Sequence, residues 1–306
     1  MVRVAVIGVG HLGQHHARIY SSLHGCRLVG VVDVNRERAK DVAEKYGVKS
    51  LDFGDLFGRV DAVSIAVPTI DHFMVASAFL NNDCHILVEK PMAATIEEAQ
   101  ILIDLARRKN RVLFVGHTER FNPVVQEARK KIADPGFIET HRLGTFSRRS
   151  TDIDVVLDLM IHDLDIILNM VRDEIESVDS IGVRALTDKI DIANARIRFK
   201  RGCVANITAS RISKDKVRKI RIFQPESYIS IDCAAQEAQY YHLVRGESET
   251  PQIKIEDLAV EKDEPLKREI VSFLTSIREG KPAEIPGEDG VMALSLAFRI
   301  LEGMKG

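Results

Sequence analysis

The sequence is poor in cysteine and has no excess of charge of either sign. Its 306 residues contain four cysteines, which are far apart and form no C-x-x-C pair: Cys26, Cys84, Cys203 and Cys233. We therefore expect reduced thiols of the kind found in the cytoplasm, with no disulfide framework and no metal site. The 43 basic and 45 acidic side chains leave a net charge of −2, which argues for neither nucleic acid nor a membrane surface as a partner.

Long apolar runs, internal repeats and low-complexity tracts are also absent. No apolar run reaches the ~18 residues that a membrane-spanning helix needs. Residues 1–8 lead directly into a predicted strand and lack the layout of a signal peptide. Hydrophobic residues make up 45% of the chain, which is enough to form sizeable cores and excludes a disordered protein. We expect a cytoplasmic globular protein of about two domains.

Short apolar runs alternate with segments of helical period over the first 120 residues. The predicted strands are residues 2–7, 28–32, 62–67, 85–88 and 112–115, and the predicted helices are residues 11–23, 36–46, 73–80 and 96–109. Continuous apolar strands separated by helices indicate βαβ units and a parallel sheet that is buried on both faces. Residues 1–120 are therefore predicted to form an α/β domain.

Strands mostly follow strands in the remainder of the chain. The predicted strands are residues 137–147, 175–185, 192–199, 204–211, 219–223, 228–232 and 239–244, and the predicted helices are residues 123–133, 155–171, 266–278 and 291–302. Consecutive strands favour antiparallel pairing. Residues 121–306 are predicted to form a second α/β domain with a large, open, mostly antiparallel sheet.

The string Gly8-x-Gly10-x-x-Gly13 follows a predicted buried strand and opens a predicted helix. In this context it predicts a dinucleotide site, because the glycines allow a tight turn and a close approach of the backbone to a pyrophosphate. His11 and Leu12 lie within the motif and are included among the predicted cofactor-binding residues. The alternative is a glycine turn that only packs the helix on the strand.

An acidic residue, Asp33, ends the second predicted strand. A carboxylate at this position accepts hydrogen bonds from ribose hydroxyls and repels a 2′-phosphate, which favours NAD over NADP. Val34 and Arg36 follow closely. The cation of Arg36 works against that preference.

Further candidate cofactor-binding residues follow three more strands at the same predicted edge of the sheet, where parallel sheets bind ligands. They are Val67, Pro68, Thr69, His72, Glu89, Lys90 and His117 with their immediate neighbours. Adjacent Glu89 and Lys90 place a charged pair at the mouth of the sheet. The alternative for this pair is a surface ion pair before a helix.

Four polar residues share one face of the predicted helix over residues 155–171 and its approach: Asp154, Asp158, His162 and Asp165. Asp158 can orient the imidazole of His162, which is suited to proton transfer near neutral pH. The alternatives are a solvent-facing stripe and a metal site, although a single histidine with carboxylates is a poor zinc set.

Three motifs together resemble the Gfo/Idh/MocA family of oxidoreductases over nearly the whole chain. They are the glycine motif at residues 8–13, the Glu89-Lys90 pair after its strand, and Asp158 with His162 on the helix of the second domain. The resemblance implies a Rossmann domain, a second domain through whose open sheet members associate as homodimers or homotetramers, and a bound nicotinamide cofactor. It implies hydride transfer to or from a secondary carbon of a sugar or cyclitol, with Lys90, Asp158 and His162 as the catalytic trio. Residues 151–157 and Met160 depart from the glycines that many members carry there.

Residues 116–123 and 155–163 are also similar to bacterial members that oxidise the C3 hydroxyl of UDP-N-acetylglucosamine, ahead of a transamination that serves lipid A synthesis. A diphosphate would need cations and donors. The candidates are Arg120, Asn122, Arg142, Arg148 and Arg149, for which a solvated strand edge is the alternative. A second basic run, residues 211–221, is expected at a sheet edge or subunit contact.

The choice of proton acceptor between Lys90 and His162 stays open, and so do two other functions. One is a family member that acts on a free sugar, an inositol or a UDP-uronate. The other is a nucleotide-sensing regulator without catalysis, which would be expected to lose the trio.

Overall fold

The computed structural model describes residues 1–147, 153–245 and 252–304. By Cα proximity the chain divides into two compact units. The first combines Met1–Thr118 with Leu266–Val291, and the second combines Glu119–Pro265 with Met292–Gly306. Residues 266–291 thus group with the first unit, whereas the sequence analysis placed all of 121–306 in one domain.

The first unit contains a six-stranded sheet. Its strands are β1 (Val2–Ile7), β2 (Cys26–Val32), β3 (Lys49–Ser50), β4 (Ala62–Ile65), β5 (His85–Glu89) and β6 (Leu113–Gly116), and its helices up to this point are α1 (Gly13–Ser22), α2 (Arg36–Lys45), α3 (Thr69–Asn81) and α4 (Ile96–Lys109). All neighbouring strands are parallel, in the order β3-β2-β1-β4-β5-β6. β1, β4, β5 and β6 are almost entirely buried, which accounts for their continuous apolar sequences.

The second unit contains an eight-stranded sheet. Its elements are α5 (Pro123–Arg129), β7 (Phe137–Leu143), a π-helix (Val156–Met160), α6 (Ile161–Val171), β8 (Ile175–Val183), β9 (Ile192–Phe199), β10 (Val204–Ser210), β11 (Val217–Gln224), β12 (Ser227–Asp232), β13 (Glu237–Val244) and β14 (Gln252–Asp257). The strand order is β14-β13-β12-β11-β7-β10-β9-β8. Among the described strands of this second sheet, only the β7–β10 pair is parallel. The predicted fold class is confirmed for both sheets.

One face of the second sheet is covered and the other is open. Along β9, Ala193, Ala195, Ile197 and Phe199 are buried, while the residues between them are exposed. The buried face forms one apolar core with the π-helix, α5 and α6.

Residues 266–291 contribute α7 (Pro265–Glu279) and the start of α8 (Gly287–Gly303). Pro286 forms an antiparallel bridge with Phe114 of β6, and the backbone N–H of Val115 donates to the carbonyl of Ile285 at 3.0 Å. The Phe273 ring lies 5.8 Å from that of Phe114. These contacts cover the free edge of β6, which would otherwise leave backbone groups unpaired. This explains why the segment belongs to the first unit.

The helix predicted over residues 155–171 is present, but its first part is not an α-helix. Residues Val156–Met160 form a π-helix, and the α-helix proper begins at Ile161. The apolar periodicity does not reveal the π-helix, because the π-helix and α6 both contain buried apolar residues. π-turns inside helices occur frequently at functional sites. Among the described residues, no helix is both long and apolar enough to cross a membrane.

Candidate functional site

The turn between β1 and α1 depends on its glycines for different reasons. Gly8 has a φ of +82°, a left-handed conformation that favours glycine. A Cβ on Gly13 would lie 1.8 Å from the carbonyl oxygen of Gly8, so only glycine lets α1 start this close to the turn. A Cβ on Gly10 would meet no atom within 4 Å. Gly10 therefore faces open space.

That space belongs to a cavity of about 890 Å³ in the first unit. It lies where the strand order reverses between β1 and β4, the place at which doubly wound sheets bind ligands. Seven of the predicted cofactor-binding residues line it: Gly8, Gly10, Asp33, Val34, Arg36, Val67 and Pro68. The size and the bare backbone at Gly10 fit a dinucleotide.

The Asp33 carboxylate is held by four donors. Its Oδ2 accepts from the backbone N–H of Val9 at 2.8 Å and from Nε of Arg38 at 3.0 Å. Its Oδ1 accepts from the backbone N–H of Asn35 at 2.8 Å and from an Nη of Arg38 at 2.7 Å. Burial favours a raised pKa for Asp33, but the hydrogen bonds from Arg38 and the two amides outweigh it and hold the pKa below its usual value. Asp33 is thus ionised and fixed in orientation.

The sequence motifs do not indicate Arg38, which also lines the cavity. The available signal was its position five residues after Asp33, within the first turn and a half of α2. Its side chain is about half exposed, and its guanidinium covers the carboxylate that was expected to meet the ribose hydroxyls.

The remaining predicted cofactor residues do not line this cavity. His11 and Leu12 are exposed in the turn, and Gly13 is buried beneath it. Thr69 begins α3 and is half-buried, whereas His72 and His117 are buried. Their roles in cofactor binding stay predictions.

The end of β5 carries the Glu89-Lys90 pair. Glu89 is buried, and its Oε1 lies 2.9 Å from Nε2 of His16, a fully buried residue of α1. The alternative of a solvent-exposed ion pair is therefore wrong for Glu89. Lys90, the next residue, is half-buried. His16 was also missed, although a histidine on the apolar face of α1 beside Ala17, Ile19 and Tyr20 was a visible signal.

The second unit holds the other two members of the predicted trio. Asp158 lies in the π-helix and His162 in the first turn of α6, and both are half-buried. The rest of the predicted polar stripe serves other contacts. The Asp154 carboxylate accepts from the backbone N–H of Ile190 at 2.8 Å, and Asp165 is buried in an ion pair.

Two arginines bind acidic residues of α6, and a third binds the segment that precedes the π-helix. Arg120 binds Asp165 through two hydrogen bonds of 2.7 and 2.5 Å. Arg142 binds Asp163 through bonds of 3.0 and 2.8 Å. Arg211 binds Asp191 at 3.0 Å and donates to the carbonyl of Ile153 at 2.8 Å. The helix α6, which carries His162, is therefore held by two bidentate contacts.

These contacts bear on the residues predicted to bind a diphosphate. Arg120 and Arg142 are engaged with carboxylates, and Asn122 caps α5 by accepting from the N–H of Val124. Arg211, predicted at a sheet edge or subunit contact, is instead buried. Arg148 and Arg149 lie outside the described residues. A substrate role for Arg120, Asn122, Arg148 and Arg149 stays a prediction.

Replacing Arg142 by leucine should lower the free energy of unfolding by about 3–5 kcal/mol, because it leaves the buried carboxylate of Asp163 without its cation. Arg142 is almost fully buried and also donates to Glu119 at 3.0 Å. Burial opposes its charge, but Asp163 and Glu119 raise the pKa of the guanidinium. Urea unfolding measures the effect.

The matched control is Lys130→Leu, directly after α5, where the partner Glu127 lies 2.7 Å away in an exposed pair. That pair should contribute at most about 1 kcal/mol. Equal losses in the two variants would contradict the stabilising role assigned to Arg142.

Comparisons with known proteins agree with this architecture. Residues 2–117 match the oxidoreductase family with the NAD-binding Rossmann fold, and residues 132–229 match the Gfo/Idh/MocA C-terminal domain. The chain is 40% identical over 304 residues to a UDP-N-acetylglucosamine 3-dehydrogenase of Acidithiobacillus ferrooxidans, covering 98% of this chain and 96% of that protein. It is 25% identical over 317 residues to a myo-inositol 2-dehydrogenase of Thermotoga maritima, covering 97% and 94%.

Solved structures give the same result. A structure of the Acidithiobacillus ferrooxidans UDP-N-acetylglucosamine 3-dehydrogenase superimposes with a TM-score of 0.94 at 38% identity, covering 99% of this chain and 97% of that one. A levoglucosan dehydrogenase in complex with NADH and levoglucosan superimposes with a TM-score of 0.87 at 20% identity, covering 99% and 96%, which shows a shared fold. The resemblance inferred from the motifs is confirmed: the chain belongs to the Gfo/Idh/MocA family of oxidoreductases.

Proposed function

We propose that this protein is a dehydrogenase that oxidises the C3 hydroxyl of a nucleotide sugar, UDP-N-acetylglucosamine, with NAD as the acceptor. The observation that carries the proposal is the 40% identity to a UDP-N-acetylglucosamine 3-dehydrogenase along 98% of the chain. The resulting ketone is the kind of product that a transamination consumes, in keeping with a place before lipid A synthesis.

The preference for NAD over NADP rests on Asp33. Its carboxylate is ionised and lies in the wall of the cavity that fits a dinucleotide, where its charge disfavours a 2′-phosphate. Arg36 and Arg38 line the same cavity and reduce that penalty. We expect NAD to be preferred by a margin smaller than an isolated aspartate would give.

The catalytic roles proposed for this chain follow the family resemblance. Bound nicotinamide supplies the acceptor for the hydride that leaves the sugar carbon. Lys90 hydrogen-bonds the reacting hydroxyl and stabilises its developing negative charge. His162 removes the hydroxyl proton, and Asp158 orients its imidazole and stabilises the imidazolium. Lys90 remains the alternative base, and general base action is worth roughly 10²–10⁴ in rate.

The proposed oligomer, a homodimer or homotetramer, uses the open face of the second sheet. Four aromatic rings form a row across β7, β11, β12 and β13: Phe137, Phe223, Tyr228 and Tyr241. Successive ring centroids are 5.7, 4.6 and 5.0 Å apart. Ile181 and Val183 of β8 are also exposed. Apolar surface of this kind is typical of protein interfaces, and light scattering of the purified protein tests for a second copy.

A substrate panel tests the proposed activity. NAD or NADP is incubated with UDP-N-acetylglucosamine, a UDP-uronate, myo-inositol and glucose, and the absorbance at 340 nm is followed. The expected result is that kcat/KM with UDP-N-acetylglucosamine and NAD exceeds every other combination by at least about tenfold, or about 1.4 kcal/mol. Turnover of only inositol or a free sugar would assign another substrate. Binding of NADH without turnover of any compound would favour the regulator.

A further inference from the structure

Lys90 lies between two residues that are held by buried histidines of the first unit. On one side, the Glu89 carboxylate lies 2.9 Å from Nε2 of His16 in α1. On the other side, the carbonyl oxygen of Pro91 lies 2.8 Å from Nδ1 of His72 in α3. Helix α1 thus contacts the side chain before the lysine, and helix α3 contacts the backbone after it.

His72 also contacts the neighbouring strand end. Its Nε2 lies 2.9 Å from the carbonyl oxygen of Val67, a residue that follows β4 and lines the cavity. One ring therefore links the cavity wall at Val67 to the segment that carries Lys90. His72 is buried and does not itself line the cavity. Both of its nitrogen atoms face backbone carbonyl oxygens instead of the cavity.

Both contacts of His72 are to carbonyl oxygens, each of which accepts from an N–H. Burial lowers the pKa of His72, against the opposing effect of the two carbonyls, and so favours the neutral ring. A neutral imidazole carries one N–H and satisfies one carbonyl, whereas the protonated ring satisfies both. The neutral ring therefore donates to one of the two carbonyls, and its rigid shape places its second nitrogen within 3 Å of the other. The arrangement holds two strand ends at a set separation, a function that packing alone does not require.

The space around Glu89 is similarly constrained. A Cβ on Gly116 at the end of β6 would lie 3.1 Å from the Glu89 carboxyl group. The carboxylate is therefore confined between α1 and β6 with His16 as its hydrogen-bonding partner. Lys90, the next residue in the chain, is half-buried.

We propose that His72, with His16, is a positioning residue that sets where the Lys90 ammonium stands. This inference rests on the proposed function, in which Lys90 touches the reacting oxygen. A misplacement of about 1 Å can cost about 10²-fold in rate. Loss of the His72 contacts therefore lowers kcat without a matching loss of cofactor affinity.

The test is a double-mutant cycle between His72→Phe and Lys90→Ala in the full chain. The phenylalanine keeps a ring and removes both ring nitrogens. For His72→Phe alone, kcat for the sugar nucleotide should fall about 10–100-fold, while the Kd for NADH, followed by its fluorescence, stays within about threefold. In the Lys90→Ala background, the same replacement should lower kcat by less than about threefold, because its effect acts through the lysine.

The matched control is His85→Phe at the opposite end of β5. His85 also makes one backbone contact, accepting from the N–H of Val112 at 2.9 Å. This variant should keep kcat within about twofold. His72→Gln, whose amide retains two N–H groups on one nitrogen, should keep more activity than His72→Phe. If the phenylalanine variant does not fold, the cycle is run with His72→Gln.

The outcomes separate this inference from the proposed function. A His72 variant that keeps wild-type kcat while Lys90→Ala loses activity overturns the positioning role alone. The positioning role is also overturned if the His72 substitution lowers kcat by the same factor in the Lys90→Ala background as in the wild type. The histidine would then act independently of the lysine. Near-normal hydride transfer in Lys90→Ala overturns the role of Lys90 itself.

Discussion

Replacement of Lys90 by alanine should lower kcat for the sugar nucleotide by about 10²–10⁴, because it removes the donor that stabilises the developing charge on the substrate oxygen. Lys90 is half-buried at the end of β5 and is not among the residues lining the dinucleotide cavity. The Kd for NADH should therefore change little. Stopped-flow absorbance at 340 nm, with enzyme in excess over NAD and saturating sugar nucleotide, measures hydride transfer directly.

Lys109→Ala is the matched control for this variant. Lys109 ends α4 at the opposite edge of the same sheet, where its ammonium lies 3.3 Å from a carboxylate oxygen of Asp83. Its loss should leave kcat unchanged within about twofold, because an exposed ion pair contributes little even to stability. Hydride transfer that is as fast in Lys90→Ala as in Lys109→Ala would remove Lys90 from the catalytic site.

Replacement of Gly10 by valine should weaken NADH binding by about 100-fold, or about 2.7 kcal/mol, while leaving the fold intact. The Cβ of a residue at position 10 meets no protein atom within 4 Å, and the glycine has no left-handed φ. The added side chain enters the cavity instead of the protein core. Fluorescence titration gives the Kd, and thermal unfolding reports the stability.

Gly54→Val tests whether this loss is specific. A Cβ on Gly54 also meets nothing within 4 Å, but Gly54 is exposed in the 3-10 helix Phe53–Leu56 and does not line the cavity. Its NADH affinity should match the wild type. Wild-type affinity in Gly10→Val would show that the dinucleotide does not approach this turn.

The first sheet could be predicted from the sequence because its strands are buried on both faces. Val2–Ile7 has the bounds that the apolar run predicts, and Ile96–Lys109 has those of its helical pattern. β3 was missed because it consists of two exposed polar residues, Lys49 and Ser50, and carries no periodicity. β14 was missed for a similar reason, since five of its six residues are exposed.

Sequence patterns could not reveal which polar residues are used inside the protein. Asp33 was identified by position, but its bidentate contact with Arg38 depends on how α2 packs beside β2. Asp165 continued the periodicity of Asp158 and His162, yet it binds Arg120, 45 residues earlier in the chain. The π-helix then changes the rotation between Asp158 and His162, which a simple 3.6-residue period cannot predict.

The most direct test of the proposed reaction uses UDP-N-acetylglucosamine carrying deuterium at C3, incubated with NAD and the wild-type protein. Mass spectrometry then follows both products. We expect reduced cofactor that carries the deuterium, together with a sugar nucleotide oxidised at C3. Reduced cofactor without deuterium would place the oxidation at another carbon, and an unchanged sugar nucleotide in the presence of bound NAD would contradict the proposed activity.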